Sequence, residues 1–289
     1  MSLTKPGAAL PAYPPPGQLR QSWLTFRLIL KPAQVSETVV VVGLGEVGKP
    51  LFEIMKTRHQ VFGVDIDLAA PLNGCDVMHV CFPFRDQRFV AQVVEYIGHY
   101  QPTLTIVNST VPPGVTRRIA EESGASVVNS PIRGKHARMR EEMLHYTKFI
   151  GALTPESGAR ALEHFESVGM RTTLLRSPEA TEIAKLTETT YFGVMIAWAQ
   201  EVERYCKALG ADYDEVVSFY EEIKFFPPVK YFPGVIGGHC VMPNIAILLD
   251  KFPSDLLQAI IQSNMLKEKN VGQEGWREVA RSAPASGNR

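Results

Sequence analysis

Thr38-Val-Val-Val-Val-Gly-Leu-Gly-Glu-Val-Gly48 decides the fold. The four valines are a continuous β-branched run, the pattern of a strand buried on both faces of a parallel sheet. Gly43, Gly45 and Gly48 then fit G-x-G-x-x-G, and a helical stretch from about Glu46 to Lys56 follows. The first glycine permits the tight turn, the second admits a pyrophosphate close to the backbone, and the third lets the helix pack on the strand. Glu46 and Val47 lie at the helix entrance, where free amides face the phosphates. Gln60-Val-Phe-Gly-Val64 reads as a second strand, and Asp65 ends it, 22 positions after Gly43. A carboxylate there accepts from ribose hydroxyls and repels a 2′-phosphate, so the expected cofactor is NAD and not NADP. Asp67 competes for this role but lies two residues beyond the strand end.

Downstream, Val77–Cys81, Leu104–Val107, Ser126–Val128, Lys148–Leu153 and Arg171–Leu175 read as further strands. Helical patterns cover Asp86–Ile97, Val115–Glu122 and Pro155–Val168. Such alternation predicts an α/β fold, a doubly wound parallel-sheet Rossmann domain over residues 37–177. From Pro178 to Leu209 the chain is helical with one glycine, Gly193, and no internal proline. Helices are also expected at Asp214–Ile223 and Ser254–Lys267, with a proline- and glycine-rich loop over Phe226–Asn244. An all-helical domain over 178–271 with one long helix is therefore expected, then a frayed tail at 272–289. Residues 1–36 are rich in proline and read as a mobile extension, with Trp23–Leu30 able to dock as an edge strand. The long helix exceeds what one small domain covers, and residues 179–209 are the expected homodimer contact.

Composition narrows the function classes. Thirty basic and thirty acidic side chains give a net charge of zero, so no global field draws the chain to nucleic acid or an anionic membrane. No apolar run reaches the ~18 residues that a membrane span needs. The four cysteines (75, 81, 206, 240) show no CxxC spacing, against a cysteine zinc site or a disulfide framework. The reading is a cytoplasmic protein with no metal.

Three more segments carry chemistry. Asn108-Ser-Thr-Val-Pro-Pro-Gly-Val-Thr116 follows the fourth strand at the carboxyl edge, where open α/β sheets bind ligands. Ser109 and Thr110 there, with Pro83 beyond the third strand, join the expected cofactor-binding set. Glu182-Ile-Ala-Lys-Leu-Thr-Glu-Thr-Thr190 opens the long helix. Gly234-Val-Ile-Gly-Gly-His-Cys-Val-Met-Pro-Asn244 presents Cys240 after a glycine pair, beside His239. Cys75, Cys81 and Cys206 read as small core residues, and His79 as a core histidine with its bonds satisfied. Arg133, Lys135, His136, Arg138 and Arg140 form a basic run after Ser130-Pro131. It reads either as a solvated helix start balanced by Glu141 and Glu142 or as an anion clamp.

The glycine turn, Ser109–Gly114, Ser130-Pro131, Glu182-x-x-Lys185 and Gly-Gly-His-Cys (237–240) together resemble the UDP-glucose/GDP-mannose dehydrogenase family, NAD-dependent oxidases of nucleotide sugars. The resemblance runs from about residue 38 to 270. It implies that Cys240 adds to an aldehyde intermediate, giving a thiohemiacetal and then a thioester. It further implies that Lys185 stabilises the oxyanion and that Thr110 helps hold the hydrolytic water. Thr189 and Asn244 stand where the family has Asn and Asp, and Ile132 where it has Glu, so two carboxylates expected near that water are missing. The family's third domain, which binds much of the nucleotide, has no counterpart in the sequence. The expected substrate is sugar-like and anionic, contacted by Arg133, Lys135, His136, Gly237 and His239. Two alternatives stand beside this reading: single hydride transfer of the β-hydroxyacid dehydrogenase type using Lys185, and a silent NAD-binding subunit.

Overall fold

The computed structural model describes residues 36–67, 69–134, 138–223, 233–237 and 240–282. Lys135, His136, His239, Trp23–Leu30 and the last seven residues lie outside them. The sheet has seven strands in the order β2-β1-β3-β4-β5-β6-β7. They are β1 (Thr38–Val42), β2 (Gln60–Val64), β3 (Val77–Val80), β4 (Leu104–Val107), β5 (Val127–Asn129), β6 (Lys148–Ala152) and β7 (Thr172–Leu175). The helices between them are α1 (Gly48–Met55), α2 (Arg88–Tyr100), α3 (Val115–Ser123), α4 (Met139–His145) and α5 (Pro155–Ser167). After β7 come α6 (Pro178–Leu209), α7 (Tyr213–Glu221), α8 (Val241–Lys251) and α9 (Asp255–Ser282).

The valine run behaves as its pattern dictates. Val39 and Val41 enter the core cluster under α1 and α5. Val40 and Val42 enter the opposite one under α2 and α3. A strand with both faces buried can alternate sides with no polar residue, because neither face meets water.

Three expectations need correction. The sheet is not wholly parallel: β6 pairs antiparallel with β5, Val128 opposite Ala152 and Asn129 opposite Gly151. Among its described residues the connection from Ser130 to Thr147 holds the two-turn α4, and the chain re-enters the sheet from the edge it left by. The loop expected up to Asn244 ends earlier, because α8 begins at Val241 with Pro243 in its first turn. Proline is tolerated there, where a backbone N–H has no helical partner. The tail expected from Gly272 is instead the continuation of α9 to Ser282. The long helix occupies Pro178–Leu209 as read, with the Ser177 side chain accepting from Ala180 N at its start.

α6, α8 and α9 share a third core cluster built on Leu186, Val241, Ile245, Leu248 and Ile260. Gly193 makes this possible, since a Cβ on it would stand 2.8 Å from Val241 Cγ1. Among the described residues, no helix is long and apolar enough to cross a membrane.

Candidate active site

The glycine turn is closed by its own packing. A Cβ on Gly48 would lie 1.7 Å from Gly43 O, and one on Gly43, at φ +89°, would lie 2.7 Å from Phe82 N. Gly45 meets nothing within 4 Å, which leaves its backbone open to an approaching ligand. Asp65 caps the turn from the next strand: Oδ2 accepts from Leu44 N at 3.0 Å and Oδ1 from Ile66 N at 2.9 Å. Its carboxylate is exposed and keeps lone pairs for further donors. Ser109 Oγ donates to Phe82 O at 2.6 Å, joining the loops after β3 and β4. Pro83 is exposed and Thr110 half-buried at that same edge.

The long helix fastens the turn that follows Thr110. Glu182, fully buried, accepts from Gly114 N at 2.7 Å and Thr116 N at 2.9 Å. Among the described side chains it is the one that accepts from amides at the start of α3, whose N-cap glycine has no side chain. Burial raises the Glu182 carboxyl above its ordinary value, against the bonds from Thr116 and Gly114, which lower it. From the other side, Lys251 at the end of α8 donates to Pro113 O at 2.6 Å. Sequence reasoning missed Lys251, because a partner 138 positions away leaves no local signal.

Lys185 opens onto a cavity of about 270 Å³, lined also by Pro131, Arg133, Phe149, Leu175, Thr181, Ala184 and Glu188. Burial lowers the Lys185 ammonium below the ordinary lysine value; Glu188 and Cys240 offset part of this, and Arg133 adds to it. Cys240 is exposed and forms the N-cap of α8. One turn on, buried Asn244 donates from Nδ2 to Thr189 Oγ1 at 2.6 Å. Thr189 is one turn beyond Lys185 and its hydroxyl donates back to Lys185 O at 3.1 Å. Two positions that depart from the family pattern thus form one contact, and they join the cysteine helix to the lysine helix.

Arg133 is held in place. Its guanidinium binds Glu188 at 2.7 Å and lies over the rings of Tyr146, at 5.3 Å, and Phe149, at 5.7 Å. An anion arriving in the cavity must share this arginine with Glu188. Arg138 pairs with Glu142 at 3.2 Å, as the solvated-helix reading of the basic run expects. Gly237 is exposed with open space around it. Ile132 is buried in the core with Met139 and Met143, so no acid can be supplied from its side chain. Cys75 and Cys81 are pushed up to about 12 by burial, which keeps both as inert thiols at neutral pH.

One buried group was not foreseen. Lys148 donates to Ser130 O, to Pro131 O at 3.3 Å and to Asn108 Oδ1 at 3.3 Å. It braces the Ser130-Pro131 turn from behind the cavity wall. Burial brings its ammonium down to about 7, Cys81 opposing and Lys185 reinforcing the shift.

Residues 179–267 match the UDP-glucose/GDP-mannose dehydrogenase family model, central domain. This stretch is similar to that family's central domain. It starts with α6 and takes in Lys185, Thr189, Cys240 and Asn244, so the family segment carries every candidate catalytic residue but Thr110. The chain is 24% identical over 267 residues to the UDP-N-acetyl-D-mannosamine dehydrogenase of Methanocaldococcus jannaschii, with 75% of this chain and 62% of that protein covered. It thus spans somewhat under two thirds of that relative's length. The fold matches the UDP-D-ManNAc dehydrogenase of Pyrococcus horikoshii with a TM-score of 0.72 at 19% identity, over 85% of this chain and 72% of the other. It also matches the 3-hydroxyisobutyrate dehydrogenase of Mycobacterium tuberculosis with a TM-score of 0.65 at 15% identity, over 82% and 94%.

Proposed function

We propose that the chain is an NAD-dependent oxidoreductase that oxidises a CH–OH group of a sugar-like, anionic substrate, of the nucleotide-sugar dehydrogenase type. The Asn244–Thr189 hydrogen bond carries the reading, because it sets the head of α8, with Cys240, beside the turn of α6 that bears Lys185. The reading divides the chain into a cofactor domain at 37–177 and a helical domain at 178–271. Among the described residues no disulfide forms, which suits the reducing cytoplasm.

The glycine cradle fits NAD: Gly43 and Gly48 are packed too tightly for a side chain, Gly45 is open, and Asp65 offers a carboxylate to the ribose. NAD held there would accept one hydride at each oxidation. The protein supplies the rest. Lys185, its charge disfavoured by burial, holds the substrate oxygen and takes up negative charge that develops on it. The Cys240 thiolate adds to the aldehyde carbon, and the oxygen gains a proton, giving a thiohemiacetal. Loss of hydride and that proton leaves a thioester. Water then breaks the C–S bond, the acid departs, and the thiol is restored. Thr110, Thr189 and Asn244 can orient this water, but none is a base near neutral pH. Hydrolysis is therefore the slow step, and acyl-Cys240 accumulates.

A panel of nucleotide sugars, sugar phosphates and hydroxy acids, scored by NADH formed per substrate, tests the reading. Two NADH and a carboxylate product are expected. A second reading, a single hydride transfer by Lys185 on a small hydroxy acid, is favoured by the 94% coverage of the 3-hydroxyisobutyrate dehydrogenase. One NADH per substrate decides for it. Tight NAD binding with no turnover of any substrate would mark a silent subunit.

A further inference from the structure

The chain approaches Cys240 through a segment with no regular structure. Residues 233–237 belong to neither helix nor strand, yet Ile236 is buried in the cluster shared by α6, α8 and α9. A buried backbone without a ladder must find other partners for its N–H and C=O groups. Two side-chain amides provide them. Asn264 of α9 accepts from Ile236 N at 2.7 Å through Oδ1 and donates to Ile236 O at 3.2 Å through Nδ2. An amide side chain carries the donor and acceptor of a peptide unit, so Asn264 stands in for a neighbouring strand. Gln200 of α6 donates from Nε2 to Gly234 O at 2.7 Å. Both amides are buried.

Each amide is also oriented from behind. Asn264 Nδ2 donates to Glu268 Oε1 at 3.0 Å. A carboxylate only accepts, so this end of the amide is the donor and Oδ1 is left for Ile236 N. Ser263 Oγ accepts from Arg204 Nη2 at 3.1 Å and directs its own hydrogen to Gln200 Oε1 at 2.8 Å. That leaves Gln200 Nε2 for Gly234 O. Glu201 holds Arg204 in turn.

We propose that Gln200 and Asn264 are positioning residues for Cys240, pinning the approach to the thiol as Asn244 pins the helix behind it. The proposal rests on the reading of Cys240 as the nucleophile. From Ile236 the chain has four residues, at most about 14 Å, in which to reach Cys240. Two of them are glycines, 237 and 238, which set no direction of their own. The place of the thiol is therefore decided by the anchors on either side. Downstream, Asn244 donates to Thr189 at 2.6 Å and Val241 packs in the third cluster. Upstream, the amide pair holds Gly234 and Ile236. Thr189 and Gln200 both lie on α6, the helix that bears Lys185, so one rigid element sets the cysteine relative to the lysine from both ends. Neither amide shows in the sequence, because Gln200 and Asn264 lie 34 and 28 positions from the backbone they bind.

The test compares the unaltered full-length protein with Asn264→Leu and with Gln200→Met, which keeps the volume and loses the bond to Gly234 O. Hydrogen exchange of the peptide over 233–241 should quicken about tenfold or more, with β1 unchanged as the measure of an intact fold. Labelling of Cys240 by N-ethylmaleimide, assigned against Cys240→Ser, should quicken about threefold or more as the freed approach bares the sulfur. With the best substrate of the panel, kcat should fall about tenfold to a hundredfold, while KM for NAD stays the same because the glycine cradle is untouched. Should Asn264→Leu not fold, Gln200→Met decides. A lower Tm with exchange and labelling at the unaltered rates would mean that the amides only stabilise the fold, and overturns the proposal; so does an unchanged kcat. Faster exchange and labelling in a protein that turns over no substrate uphold the clamp and count against the dehydrogenase reading instead.

Discussion

Cys240 and Lys185 can be separated by what each variant leaves intact. Cys240→Ser keeps the lysine and the cofactor cradle but loses the thioester, so NADH should fall from two to at most one per substrate. Intact mass should show no acyl adduct, whereas the unaltered protein should show one on Cys240. Two NADH from Cys240→Ser would mean that the thiol is incidental. On the proposed mechanism Lys185 stabilises charge at the reacting oxygen, so Lys185→Ala should lower kcat about 10²–10³-fold. Gly48 tests the cradle. A Cβ there would meet Gly43 O at 1.7 Å, a backbone atom that cannot step aside without opening the turn. Gly48→Ala should lose NAD binding, read by fluorescence titration, together with about 1–3 kcal/mol of stability.

At the scale of elements, the contact between α6 and α3 matters most. Glu182 supplies the acceptor for two amides at the start of α3 while lying in α6. Glu182→Ala leaves those buried donors unmatched, at a cost of about 1.5–3 kcal/mol for bonds to a charged group. Glu182→Gln retains one acceptor oxygen and should cost less. Thermal unfolding of the pair checks the order, and equal losses would show that Glu182 acts through packing alone. The boundaries of α6 could be read in the sequence, because Ser177-Pro178 opens it and Gly210, at φ +71°, closes it. α8 could not, since the glycine pair and Pro243 carry the local signals of a loop. What makes it a helix is Val241, Ile245 and Leu248 packing on α6 and α9.

For the molecule as a whole, two properties follow from what is buried and what is left bare. Lys148 has its ammonium brought to about 7 by burial. Between that pH and the ordinary lysine range, the unfolded chain binds the proton more strongly than the fold does. Stability should therefore rise with pH from about 7 to 9. Cys81 and Lys185 act on this ammonium, and the ammonium acts on His79. His79 lies well below its ordinary value and Cys81 near 12, so neither changes charge in the folded state in this window. Lys148→Met should flatten the rise in denaturant titrations, and an unchanged slope would place its origin elsewhere. The second is the proposed association. Tyr191, Trp198 and Tyr205 lie seven residues apart on α6 and each is more than half exposed, forming a stripe that a two-fold partner would cover. Trp198→Glu with Tyr191→Glu should convert a dimer to monomer in sedimentation. A monomer before substitution would exclude this contact.

The sequence by itself determined the half of the sheet around β1 and β2, because valine runs, glycine spacing and Asp65 act over a few residues and leave a local pattern. It also singled out Thr110, Lys185, Thr189, Cys240 and Asn244. Only the tertiary structure decided which of these meet: Asn244 donates to Thr189, whose hydroxyl donates in turn to Lys185 O. It likewise set β6 against β5, buried Ile132 among methionines, and joined Gln200 and Asn264 to the backbone before Cys240. Periodicity reports which side of an element is buried but not what lies across from it. Partners far apart in sequence are selected by packing and by the need of buried polar groups for one another.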